Sequence, residues 1–274
     1  MIRCISVIGA NFGDEGKGLV TDALCGGRTA VIRHNGGAQA GHTVVNEGRR
    51  FVFHQLSSGS FRRADTVWAE SFMPDLFKLS EEAENFRSIA GYVPRILACS
   101  GTCTTIIDDV LINMALENSR GDKRHGSCGM GIYEAFLRNH AGYGVDMKWL
   151  LSHGAEELYL RMREIRHSYG RKRLESLRLD TADLGEYGEM LCDDSILRAA
   201  AEQMCSNLDM VEIFKGADGY DSIVFEGAQG LLLDAENTEY APHTTASRTG
   251  LDEPLNFCGR YRLTLEKAVY VTRS

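Results

Sequence analysis

Four short glycine-spaced stretches hold the residues whose types and spacing can do chemistry. The first is NFGDEGKGLVTDAL, Asn11 to Leu24. A phosphate loop of the form G-x-x-x-x-G-K-[ST] ends on a hydroxyl that binds magnesium. Here Gly18 follows Lys17, no hydroxyl is available, and two carboxylates, Asp14 and Glu15, sit inside the loop. Gly13, Gly16 and Gly18 let backbone N–H groups approach phosphate oxygens, and the start of the next helix favours anions. Lys17 adds a point charge for phosphate. Asp14 has two physical uses. It can hold a divalent cation that bridges phosphates, in place of the missing hydroxyl, or it can take a proton from a substrate above the loop. A glycine-rich turn with a helix-capping Asp is the plain alternative.

The second stretch, GGAQAGHTVV (residues 36–45), places His42 beside glycines at the end of an apolar run. An imidazole there can donate to an oxygen that gains negative charge, or it can be structural. The third, SIVFEGAQGLLLD (residues 222–234), carries Gln229 between small residues. Its amide can hydrogen-bond a base or a phosphoryl oxygen, or simply be a polar loop residue. The fourth, RHGSCGMGI (residues 124–132), offers Ser127, Cys128 and Gly129 as a cradle for a monophosphate. Nothing near Cys128 marks a base that would make it a nucleophile.

These loops need elements to position them. CISVIG (4–9), TAVIRHN (29–35) and RILACS (95–100) read as buried strands, and KGLVTDALC has helical spacing. Strand, glycine loop, helix, strand opens an α/β fold with a parallel sheet. Residues 73–90 and 104–121 read as helices, with Pro74 near the start of the first. Asn46-Glu47-Gly48 lies between two β-rich runs and reads as a hairpin turn. Residues 133–207 are mostly helical in pattern, and EKAVYVTRS resembles another core strand. The expectation is an α/β protein with a mainly parallel central sheet, a P-loop-like phosphate loop, flanking helices and a helical insertion.

The bulk numbers narrow the partners. The chain has 274 residues, 43% hydrophobic and 25% charged, with a net charge of −8. An acidic balance disfavours nucleic acid as a main partner but allows a local phosphate pocket. No apolar run is long enough to span a membrane, and the N-terminus lacks a signal-peptide shape. The eight cysteines form no CxxC pair, which fits reduced thiols in a cytoplasmic protein. Cys99 and Cys103 have no second pair to complete a zinc site.

In this order, the four stretches resemble the adenylosuccinate synthetase family. GDEGKG with Asp22, GGAQAGHT and FEGAQGLLLD match its signatures, and GSCGMGIYEAF is similar to a fourth. The resemblance implies a ligase that joins L-aspartate to the 6-position of IMP with GTP hydrolysis, through a 6-phosphoryl intermediate, in purine biosynthesis. It implies Asp14 as the base that removes the purine N1 proton, His42 as the acid and Gln229 as support for the intermediate. Gly13, Asp14, Glu15, Gly16, Lys17, Gly18, Gly41, His42 and Thr43 fall on its nucleotide-binding positions. Mg2+ is the implied cofactor, held by Asp14 and the Gly41 carbonyl. Gln39, Ser127, Cys128, Arg138, Gln229 and Thr244 fall on purine-monophosphate contacts, Arg138 on an Arg that reaches across a homodimer interface. Gln39 stands where the family has Asn, Cys128 where it has Thr, and HTTASRTG where it has VTSSNTTAG. The resemblance further implies one synthetase-like domain over 1–274 that lacks the family's C-terminal part, where its aspartate loop and guanine-reading segment lie. Two alternatives stay open. One is a related ligase acting on dGMP with ATP, a viral type that often replaces the loop Asp. The other is a non-catalytic nucleotide-binding protein.

Overall fold

The structure is a computed structural model and describes residues 2–121, 128–241 and 243–273. It divides into two compact units. The first comprises Met1–Pro74, Lys78–Thr102 and Met210–Ser274; the second comprises Asp75–Phe77 and Cys103–Asp209.

The first unit is built on a seven-stranded sheet. Its strands are β1 (Arg3–Gly9), β2 (Thr29–Arg33), β5 (Asp65–Trp68), β6 (Ile96–Ala98), β7 (Val211–Ile213), β8 (Ser222–Gly230) and β9 (Leu265–Val271). A separate hairpin pairs β3 (His42–Asn46) with β4 (Arg49–Phe53). The large sheet has the order β7-β6-β5-β2-β8-β1-β9, and every pairing in it is parallel. Parallel strands bury both faces, which explains their near-continuous apolar runs. Cys4, Ile32, Val67, Leu97, Ile223 and Phe225 pack on one face with Phe257 of the helix Asp252–Arg260. Val7, Val31 and Val224 pack on the other, against Val20 and Leu24 of the helix Lys17–Leu24.

The expected hairpin forms at its expected turn. Glu47 and Gly48 both have positive φ, 52° and 78°, as a type I′ two-residue loop requires. Two expectations need correction. The helix read over 73–90 begins only at Leu79, because Pro74 and an Asp75 side chain that accepts from the Phe77 N–H set a turn first. The terminal strand, read as a core strand, is the sheet's edge strand β9; it is half exposed, and Tyr270 projects to solvent.

The second unit is the helical insertion between β6 and β7. Consecutive carboxylates on its helix Ile107–Ser119 each take a buried guanidinium. Asp108 pairs with Arg166 at 2.7 Å and Asp109 with Arg138 at 2.9 Å.

Candidate active site

The strands β2, β8 and β1 are neighbours, so the loops leaving their carboxyl ends share one edge of the sheet. Ligands of parallel α/β sheets bind at that edge. The first and third loops touch backbone to backbone, and the second packs on the third through side chains. A Cβ on Gly13 would lie 2.6 Å from Gln229 Cα, and one on Gly230 would lie 2.2 Å from the Asn11 carbonyl oxygen. A Cβ on Gly36 would lie 2.8 Å from Ala228 Cβ and 3.0 Å from Gln229 Oε1. Asn35 clasps the third loop, donating to the Ala228 carbonyl at 2.9 Å and accepting from the Ala228 N–H at 2.7 Å. Gly36 N–H donates to Ser247 Oγ at 3.1 Å, which joins residues 243–249 to the same edge.

The missing hydroxyl at position 18 has a steric cause. A Cβ on Gly18 would fall 2.8 Å from Ser58 Oγ and 3.0 Å from His42 Cβ. His42 and Ser58 occupy the space that a Ser or Thr would need. Gly16, at φ 91°, turns the chain into the helix that begins at Lys17.

Glu15 and Asp14 behave differently. Glu15 folds back into its own loop, accepting from the Gly13 N–H at 2.7 Å and the Asn11 N–H at 3.1 Å. It also pairs with Lys17 Nζ at 3.2 Å. Burial alone would raise the Glu15 carboxyl; the Gly13 N–H, Lys17 and the Asn11 N–H outweigh it and hold it low. Lys17 is 2% exposed and also donates to the Gly13 carbonyl. Burial pulls its ammonium down, with Glu15, Glu226 and Asp14 opposing. Asp14 instead projects to solvent, its side chain 98% exposed, with Arg273 Nη1 at 3.2 Å.

His42 is buried, and its Nδ1 lies 2.6 Å from Glu226 Oε1. Burial lowers its affinity for a second proton; Glu226 opposes this, and Arg33 and Lys17 reinforce it. Glu226 is fully buried. Burial would raise its carboxyl, yet His42, Arg33 and Ser58 hold it below the usual range.

Gln229 takes a left-handed conformation at φ 54°, which costs a non-glycine residue about 1–2 kcal/mol. Such strain persists where surrounding contacts impose it, and it clusters at functional sites. Its Oε1 is sealed from solvent and accepts no hydrogen bond among the described residues; the same holds for Gln39 Oε1. Orphaned buried acceptors are rare in folded proteins and mark places where a donor is wanted.

Asp14 and the Gly41 carbonyl are hard oxygen donors of the kind Mg2+ takes, alongside water and phosphate oxygens. Both residues are solvent-exposed, so they fit such an ion. Thr43 is exposed on β3, and Thr244 is half-buried in the segment tied down through Ser247. The other expected purine contacts belong to the second unit. Cys128 is exposed there, and Ser127 lies outside the described residues. Arg138 is fully buried, with its guanidinium on Asp109, the Asn139 side chain and the Thr104 and Tyr143 carbonyls. Its guanidinium donors are engaged within the second unit, in an ion pair with Asp109.

Sequence reasoning missed Glu226, Ser58, Ser247 and Arg273. Only Glu226 had a signal, since it is an acid inside the apolar run SIVFEGAQG.

A fully parallel α/β sheet with a glycine-built phosphate loop and two further glycine loops at its carboxyl edge defines a phosphate-loop protein of the α/β class. The family model for adenylosuccinate synthetase matches residues 6–274, and the chain belongs to the adenylosuccinate synthetase family. It is 30% identical over 252 residues to adenylosuccinate synthetase 1 of Pseudoalteromonas translucida, covering 91% of this chain and 56% of that one. It is 30% identical to the enzyme of Colwellia psychrerythraea, covering 100% of this chain and 63% of that one. The chain thus spans about three-fifths of these relatives. Among solved structures, fully ligated adenylosuccinate synthetase from Plasmodium falciparum has a TM-score of 0.65 at 18% identity, covering 98% of this chain and 61% of that one. Succinoaminodeoxyadenylate synthetase of cyanophage S-2L, bound to dGMP and dATP, has a TM-score of 0.55 at 16% identity, covering 94% and 60%. At these identities the two likenesses establish the fold.

Proposed function

We propose that the chain works as an adenylosuccinate synthetase-type ligase, joining L-aspartate to the 6-position of IMP with GTP hydrolysis. The observation that carries this reading is the packing of the Gln229 loop against both the Gly13–Gly18 loop and Gly36, which gathers phosphate-loop, imidazole and amide groups at one sheet edge. In this reading the triphosphate lies along Gly13–Gly18, Gly41 and Thr43, with Lys17 as the cation for its phosphates. Asp14 removes the purine N1 proton, so that O6 becomes nucleophilic. O6 attacks the γ-phosphorus, the bond to the GDP oxygen breaks, and His42 stabilises the transferring group. The Gln229 and Gln39 amides meet the purine side, together with Thr244. The aspartate amine then displaces phosphate from C6, which is a far better leaving group than the original oxygen. When bound, Mg2+ on Asp14 and the Gly41 carbonyl would neutralise phosphate charge.

Residues 1–274 act here as one synthetase-like domain, and the aspartate and guanine subsites are not assigned to residues within it. A homodimer and a cytoplasmic location accompany the reading. Among the described residues, no helix is long and apolar enough to cross a membrane.

A second reading, aspartate addition to dGMP with ATP, is supported by the fold shared with the cyanophage protein. The acidic residue at Asp14 favours IMP. A steady-state assay offering IMP or dGMP, GTP or ATP, aspartate and Mg2+ separates them. Turnover that requires IMP supports the first reading, and turnover only with dGMP replaces it with the second. Nucleotide binding without turnover by any pair favours a non-catalytic role.

A further inference from the structure

Glu226 faces no solvent, yet it organises the imidazole. Its Oε1 receives His42 Nδ1 at 2.6 Å and the Ser58 hydroxyl; its Oε2 receives the Ser58 N–H at 3.1 Å. Arg33 Nε lies 3.8 Å from Oε2, and the Arg33 guanidinium is itself pinned by the His54 and Leu56 carbonyls at 2.8 and 3.1 Å. A carboxylate so surrounded by donors is ionised and accepts only, so the ring nitrogen facing it carries the proton. The hydrogen bond at one imidazole nitrogen decides the state of the other. Among the described residues His42 bonds through Nδ1, which leaves Nε2 for a ligand.

We propose that Glu226 is the positioning residue of the site: it holds the Nδ1 proton of His42 and so presents Nε2 to the arriving phosphoryl oxygen. This rests on the donor role given to His42 above. The charged groups facing the ring are Glu226 from β8, Arg33 from β2 and Lys17 from the first helix. Ser58 fixes the carboxylate rotamer from both its oxygens.

The test has two arms on the full chain. In ligand-free protein labelled with 15N-histidine, long-range 1H–15N spectra should show His42 as a single tautomer protonated at Nδ1. Glu226→Gln should lose that signature and lower kcat for IMP by about 10²-fold with KM for IMP within about threefold. Ser58→Ala should give a smaller loss in the same direction. A wild-type His42 protonated at Nε2 overturns the proposal, as does a Glu226→Gln chain with unchanged histidine signals and unchanged kcat. If no purine nucleotide is turned over, the ligase reading fails while the wild-type spectrum still decides the role of Glu226.

Discussion

Glu15 Oε2 lies 3.2 Å from Lys17 Nζ, with the two side chains only 3% and 1% exposed. An acid that looks misplaced in a phosphate loop is therefore the internal counter-charge of that loop's lysine, and two backbone N–H groups hold it there. Removing one partner of a sealed ion pair strands the other, at a cost of about 3 kcal/mol. Glu15→Ala should lose about that much unfolding free energy in urea melts at pH 7. A loss below about 1 kcal/mol would show that Lys17 does not depend on Glu15.

Asp14 is the opposite case. Its carboxylate stands in solvent, where it pairs with Arg273 among the described residues. Surface substitutions of this kind shift stability by less than about 0.5 kcal/mol. Asp14→Asn should therefore melt like the parent chain while IMP-dependent turnover falls at least about 10²-fold. An active Asp14→Asn chain would remove Asp14 as the base.

Gln229 trades stability for an amide in place. Gln229→Gly relieves the left-handed strain, offset in part by glycine's greater freedom when unfolded. Unfolding free energy should hold within about 0.5 kcal/mol or rise, whereas the IMP dissociation constant, read by calorimetry, should increase about tenfold or more. Equal IMP affinity in the two chains would mean that the orphaned Oε1 has no ligand role.

His34 supplies a pH signature independent of any ligand. Its ring is fully buried, and both nitrogens lack partners among the described residues. Burial, reinforced by Arg33 and opposed by Glu226, pushes its pKa down to about 3 from an ordinary 6.5. A base depressed in this way binds fewer protons when folded. Stability is then full above pH 6.5 and falls as pH drops through the window towards 3. At pH 5 the loss from this one group is about 2 kcal/mol. His34→Phe, which keeps the edge contact with Phe225, should flatten that dependence between pH 7 and 5 in urea melts. Parallel curves for the two chains would place the acid sensitivity elsewhere.

The architecture was legible because parallel strands declare themselves. CISVIG, TAVIR and SIVFEG are buried on both faces, so their apolar runs are unbroken, and the glycines after them mark the loops. Glu47-Gly48 was legible because few dipeptides suit a type I′ turn. The edge placement of β9 was not, since EKAVYV differs little from a central strand until its neighbours are known. The collision that keeps a hydroxyl off position 18 was equally hidden: Gly18 and Ser58 are far apart in sequence and meet only through the fold. The burial of Arg138 was hidden in the same way, because its partner Asp109 is distant in sequence.

The central claim is that this sheet edge transfers the γ-phosphoryl group of GTP to the 6-oxygen of IMP. Positional isotope exchange tests it without aspartate. GTP labelled with 18O in the β,γ-bridge is incubated with the chain, IMP and Mg2+, and the label is followed by 31P NMR. The account predicts scrambling of the bridge label into the β-nonbridge positions that requires IMP and is lost in Asp14→Asn. No IMP-dependent scrambling in a chain that binds both nucleotides would contradict it.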